Sequence, residues 1–166
     1  SPIVAWLRLL CRDVRQSRGV SGVGVIGMCL TGNFAISLIA DVSVLAAVAS
    51  QPAMPFFKQD ALHMSAEDVT DVRNALDEKG AMHVLRFEDD PLCTPEKSEC
   101  IQKAFNDDSA IRIDEITLPG KGHSVLTLDF VDEEGHPTHE ALTSVLHYFR
   151  KHLSSDADNG DVSEGP

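Results

Sequence analysis

Three segments of the 166-residue chain hold side chains whose types and spacing suit covalent chemistry. The first is VGVIGMCLTGNFAISL, which sets Gly27-Met28-Cys29 between a valine-rich run and a helical pattern. A thiol on such a strand-to-helix turn is held out of the sheet, with helix N–H groups behind it. Those groups and the helix field favour a thiolate and a developing oxyanion. Gly27 permits the tight turn, and Gly32 lets the new helix approach the sheet. The usual serine form of the turn is G-x-S-x-G. Here Thr31 holds the fifth position and glycine comes one residue later. A buried, inert cysteine beside a glycine turn is the alternative reading.

The second segment, LRFEDDPLCTPEK, ends a run of strand character in Glu88, Asp89 and Asp90. One of these carboxylates is placed to orient an imidazole. Asp90, next to Pro91 and furthest from the strand, is the preferred candidate, with Glu88 and Asp89 as alternatives. The third segment, LPGKGHSVLTLDF, puts His123 in a glycine-flanked turn after the last strand pattern. From there an imidazole reaches back over the sheet edge. The other six histidines fall in a loop, a strand interior, a polar turn or the last helix.

These segments need a scaffold, and the elements alternate. Residues 3–17 read as an amphipathic helix, with Trp6, Leu9, Leu10 and Val14 at helical spacing. A buried strand follows over VSGVGVIGM, then a helix over LTGNFAISLIA and a strand over VLAAVASQP, stopped by Pro52. Pro55, Phe56 and Phe57 suggest a loop over a surface or pocket. Ser65 with Glu67 and Asp68 starts a helix that Gly80 stops near Lys79. MHVLRF reads as a strand, PEKSECIQKAF as a helix, IRIDEITLP as a strand with one polar face, and HEALTSVLHYFRKHL as a closing amphipathic helix. This alternation predicts an α/β three-layer sandwich with a mainly parallel sheet. All three candidate residues then follow strand ends along one edge, where sites form. Residues 1–153 make one domain portion, and the acidic Gly/Ser-rich segment 154–166 reads as a disordered tail.

Composition narrows the partners. Twenty-six acidic against 14 basic side chains give a formal net charge of −12, a field opposed to phosphate backbones, so nucleic acid is not expected. No run approaches the roughly 18 apolar residues of a membrane span, and the N-terminal stretch lacks the basic n-region of a signal peptide. The four cysteines, at 11, 29, 93 and 100, have neither CxxC pairing nor zinc-site spacing. Free thiols in a reducing cytoplasm are the expectation, with no metal and no cofactor. GVSGVGVIG brings a nucleotide loop to mind, but its glycines precede the turn and no GxGxxG occurs.

The chain resembles the C-terminal part of the dienelactone hydrolase family, in the α/β-hydrolase superfamily. GMCLTG resembles that family's cysteine elbow, SQPAMP its post-strand loop, FEDDPLCTP its acid loop and PGKGHS its histidine loop. The order nucleophile, acid, histidine is that of α/β-hydrolases. The resemblance implies Cys29 as nucleophile, Asp90 as acid and His123 as base, with the Leu30 backbone N–H facing the oxyanion. It implies attack on a small ester or lactone and an acyl-enzyme. Where well-studied members carry an arginine four residues after the histidine, this chain has Thr127, with Lys121 or Arg86 as replacement cations.

The resemblance also implies strands ahead of the nucleophile strand, and here only one helix precedes Cys29. The chain is therefore expected to be a truncated or cleaved form of an α/β-hydrolase fold lacking its N-terminal strands. Its open apolar edge would pair with a second copy or with the missing N-terminal segment. The competing expectation is a weak or inactive hydrolase fragment, or a non-catalytic relative acting by association.

Overall fold

A computed structural model describes residues 1–54 and 61–154. The segment with Pro55, Phe56 and Phe57, and the tail beyond residue 154, lie outside the described residues. Four strands form one parallel sheet in the order β1-β2-β3-β4: β1 (Val23–Met28), β2 (Val44–Ser50), β3 (Met82–Phe87) and β4 (Ile113–Leu118). Among the described residues five helices accompany them: α1 (Pro2–Arg18), α2 (Leu30–Leu38), α3 (Ala66–Lys79), α4 (Pro95–Phe105) and α5 (Pro137–Leu153).

The strand order explains the layers. Each crossover steps to the next strand in the same direction, so a constant hand sends α2, α3 and α4 to one face. There Ala35, Ile36, Val72, Leu76, Ile101 and Phe105 pack against Ala47, Ala49, Val84 and Ile113. On the other face α5 sets Ala141, Val145 and Tyr148 against Ala46, Val48, Leu85 and Leu118. Alternate residues of β2 and β3 therefore point to opposite cores, and both strands are almost wholly buried. The result is the expected three-layer α/β sandwich.

Local chemistry sets the boundaries. Ser65 caps α3 in a reciprocal capping box with Asp68, and the Gly80 N–H closes the last turn on Leu76. The stretch IRIDEITLP is strand only over its central part, because Asn106 Oδ1 accepts the Arg112 and Ile113 N–H groups and draws the start of the run into the preceding turn.

The N-terminal helix departs from the sequence expectation in its orientation. Val4 and Cys11 are buried, whereas Trp6, Leu9, Leu10 and Val14 are exposed, Trp6 at 62%. Leu10 borders β1, an edge strand of the sheet, where Ile26 is also exposed. An open groove of about 440 Å³ runs between α1, α2 and β1, lined by Leu7, Leu10, Val25, Phe34 and Leu38. Among the described residues nothing covers it.

Candidate active site

The four strands end along one rim, and lateral hydrogen bonds tie the connections there together. Cys29 N–H donates to Ser50 O at 3.0 Å, Gln51 N–H to Leu85 O at 2.6 Å, and Glu88 N–H to Leu118 O at 2.8 Å. This continuous frame holds the three candidate segments at the ends of β1, β3 and β4.

Cys29 joins β1 to α2 without an intervening loop. Its φ of 53° and ψ of −121° are a conformation that a non-glycine residue adopts only when its surroundings enforce it. Those surroundings are visible. The Cys29 carbonyl accepts from Gly32 N–H at 3.0 Å and Ala53 N–H at 3.1 Å. Thr31 Oγ1 accepts from Met28 N–H at 2.9 Å and donates to Met28 O at 2.7 Å. A side chain at Gly27 would meet Thr31 O at 2.1 Å, and one at Gly32 would press on Pro52 at 3.0 Å. Gly27 thus serves the close turn. Gly32 allows the helix to approach the segment after β2, one turn position later than in the serine pattern. Leu30 is the first residue of α2, so its N–H has no acceptor within the helix.

Asp90 and His123 meet. His123 Nδ1 lies 2.9 Å from each oxygen of the Asp90 carboxylate, whose side chain is fully buried. Asp90 Oδ1 also accepts the Leu92 and Cys93 N–H groups, both at 2.8 Å. These bonds hold the carboxylate independently of the imidazole. Glu88 and Asp89 are exposed. An ionised carboxylate only accepts, so the proton belongs on Nδ1 and the neutral ring presents the Nε2 lone pair. His123 Nε2 is buried and has no hydrogen-bond partner among the described residues. Cys29 shares the rim, and no hydrogen bond joins its sulfur to that nitrogen.

The other thiols differ. All four cysteines are unpaired, Cys29 and Cys100 being partly exposed. Burial, reinforced by the Asp90 charge, pushes the Cys93 thiol up to about 12. Burial also raises the Cys11 thiol.

Arg86 is not available as a replacement cation. It is buried, donating from Nε to Cys93 O at 3.1 Å and from Nη2 to Glu88 O at 2.9 Å, with Nη1 4.0 Å from Glu115. It pins the acid loop from beneath, because a strand-interior arginine facing a packed helix layer must spend its donors locally. Lys121 is exposed and borders an open cavity of about 420 Å³ with Phe87, Leu128, Phe130 and His136.

Two residues at the rim were not singled out by their sequence pattern. Gln51 is buried with φ 39°. It precedes a proline, a position biased toward extended backbone, so nothing in the sequence marks it. Asp129 accepts the backbone N–H groups of His123 and Ser124, at 2.9 and 2.8 Å. A glycine-rich turn with unpaired donors and an aspartate six residues on was the available signal. Among the described residues no cluster of three or more His, Cys, Asp or Glu could hold a metal ion, and no helix is long and apolar enough to cross a membrane.

No family model and no curated protein matches the chain. Solved structures do. MGS-MChE2, an α/β-hydrolase enzyme from the metagenome of sediments from the lagoon of Mar Chica, Morocco, matches with a TM-score of 0.53 at 16% identity. The match covers 89% of this chain and 69% of that one. A puromycin hydrolase matches with a TM-score of 0.58 at 14% identity, over 87% of this chain and 24% of that one. The fold is part of an α/β-hydrolase fold. At these identities the likeness is one of backbone, and it does not single out dienelactone hydrolases among proteins of that fold. Along the chain Cys29, Asp90 and His123 follow β1, β3 and β4 in that order.

Proposed function

We propose that this chain carries the catalytic residues of a cysteine hydrolase acting on small ester or lactone substrates, similar to the dienelactone hydrolases. The observation that carries the reading is the imidazole of His123, held through Nδ1 by a buried carboxylate, with Nε2 left unpartnered on the rim that bears the Cys29 elbow.

In this mechanism His123 Nε2 accepts the Cys29 thiol proton as the sulfur attacks the carbonyl carbon. Asp90 keeps the proton on Nδ1 and stabilises the imidazolium that forms. The Leu30 N–H, at the positive end of α2, donates to the oxyanion. Collapse of the tetrahedral adduct expels the alkoxide, which takes the proton from Nε2 and leaves a thioester on Cys29. Water, deprotonated by the same nitrogen, then attacks the thioester; collapse breaks the C–S bond, the Cys29 sulfur recovers the proton from Nε2, and the acid is released. Hydrolysis of p-nitrophenyl acetate, lost in Cys29→Ala and in His123→Ala, is the expected result.

The uncovered α1 face and β1 edge favour a second, compatible reading, in which the chain associates with another strand. An edge strand presents unpaired backbone groups, and here apolar side chains flank them. Either a second copy or an N-terminal segment of a longer chain supplies the pairing. Light scattering on this chain and on one extended to the start of its gene separates the two. Self-association of the short form, relieved in the long form, marks the N-terminal segment as the partner. A well-folded chain of either length without ester hydrolysis would leave association as the sole role.

A further inference from the structure

A catalytic imidazole on a loop needs its backbone fixed as well as its ring. The turn around His123 has no strand or helix of its own. Gly120 within it sits at φ 92°. Three contacts nevertheless define its position. A Cβ on Gly122 would meet the Phe87 ring at 2.7 Å, so the loop packs directly on the end of β3. The ring is held by Asp90. The third contact is Asp129. One oxygen of this carboxylate, Oδ2, receives two successive backbone donors, His123 N–H at 2.9 Å and Ser124 N–H at 2.8 Å. Asp129 N–H and Thr127 N–H both return to Ser124 O at 3.1 Å, and Val125 N–H to His123 O at 3.2 Å, closing residues 123–129 into one small ring of bonds.

We propose that Asp129 is a positioning residue of the hydrolytic site, which by clamping the His123 and Ser124 amides sets the direction of His123 Nε2. This rests on the Cys29–His123–Asp90 reading. The two bonds are charge-assisted and converge on one atom, so they restrain rotation of the peptide that carries the imidazole. They also hold the Asp129 carboxyl below its usual range, the His123 amide being the larger cause. The ionised form, which accepts both donors, is therefore the one present at neutral pH. Asp129 touches neither the ring nor the reacting atoms in this account. Its role is to keep Nε2 from swinging off the line to the sulfur, and a misplacement of about 1 Å at such a centre costs on the order of 10²-fold.

The test compares wild type, Asp129→Ala, Asp129→Asn and His123→Ala in two assays on the same folded chain. With p-nitrophenyl acetate, Asp129→Ala should lower kcat by about 10- to 100-fold and leave KM within about threefold. Asp129→Asn, whose amide oxygen still accepts both N–H groups, should recover most of that loss. In the second assay iodoacetamide is applied at neutral pH and each cysteine is followed by peptide mass mapping. His123→Ala should slow alkylation of Cys29 about tenfold, and Asp129→Ala should slow it in the same direction, with Cys11 and Cys93 still protected. A merely structural role would instead expose those buried thiols. If Asp129→Ala leaves kcat and Cys29 alkylation at wild-type values, or Asp129→Asn is as damaging as Asp129→Ala, the positioning role is overturned. If His123→Ala itself leaves Cys29 alkylation unchanged, the triad reading fails, a separate outcome legible without any esterase activity. Should Asp129→Ala not fold, Asp129→Glu, which keeps the charge but displaces the oxygen by a methylene, carries the same expected loss.

Discussion

His123 and His83 each lie beside a carboxylate, the first 2.9 Å from Asp90 and the second 3.1 Å from Asp114. Distance alone does not separate them. The surroundings do. His123 follows a strand end, its Nδ1 faces both oxygens of a fully buried carboxylate, and its Nε2 is unpartnered. His83 sits within β3, directly across from Asp114 on β4, whose side chain is half exposed. Its Nδ1 is near that carboxylate but out of hydrogen-bonding line. The His83 ring stacks against Tyr148, which stacks in turn on His152, with ring centroids 4.5 Å apart in both pairs. One pair lies on the rim that also carries Cys29. In the other, the His83 ring packs against Tyr148 of α5 while Asp114 faces solvent. A His–Asp pair is thus a site only where the second ring nitrogen has somewhere to act.

The largest effect expected from this contrast is on turnover. Asp90→Asn should lower the rate of p-nitrophenyl acetate hydrolysis by about 10²–10⁴-fold, because an amide in that place permits the wrong tautomer. Asp114→Asn, the matching change in the other pair, should leave the rate within about twofold. Equal effects of the two substitutions in a steady-state assay would erase the distinction.

Next in size is the elbow that carries Cys29. Gly27→Ala would force a methyl onto the Thr31 carbonyl and should destabilise the fold by more than about 2 kcal/mol. Gly32→Ala, where the neighbour is Pro52 at 3.0 Å, should cost about 1 kcal/mol. Denaturant midpoints in the reverse order would mean that the strand-to-helix turn is not what the glycines serve.

The smallest effect belongs to the packed pair and concerns stability alone. Burial lowers the pKa of both His83 and His152; the Asp114 charge opposes this at His83, and Lys151 and His83 reinforce it at His152. The unfolded chain therefore binds protons first, and stability falls as the pH drops below about 6.5 toward the lower folded-state values. His83→Gln should flatten part of that slope in urea melts between neutral pH and about pH 5, without altering turnover at pH 7. A slope unchanged by the substitution would show that His83 titrates no differently when folded.

Much of this was legible in the sequence, for local reasons. The capping residues around α3, the proline opening α4 and the valine-rich strands are short-range signals, and each element formed where they stood; α5 begins two residues ahead of the expected HEALTSVLHYFRKHL, at Pro137. The turn at Cys29 was legible because a glycine-permitted junction between strand and helix is itself local. Asp90 stood apart from Glu88 and Asp89 by its place in the loop, but its contact with His123 spans 33 residues and follows only from the sheet order. Long-range packing also hid what the pattern missed. Arg86 looked like a free cation until the acid loop closed over it. The apolar spacing of Trp6, Leu9, Leu10 and Val14 gave a helix correctly and its buried side wrongly, since Val4 and Cys11 are the residues that meet the core. The backbone of Gln51 is enforced by β3, through the bond to Leu85 O, and has no trace in its own neighbours.

The central claim, that Cys29 is a nucleophile served by His123, is tested most directly by trapping the acyl-enzyme. Protein mixed with p-nitrophenyl acetate and quenched in acid within the first turnover should carry a single acetyl group. Peptide mapping should place it on Cys29. The label should be absent in Cys29→Ala and form far more slowly in His123→Ala. Acetylation spread over lysines, or confined to Cys100 with Cys29 unmodified, would contradict the account.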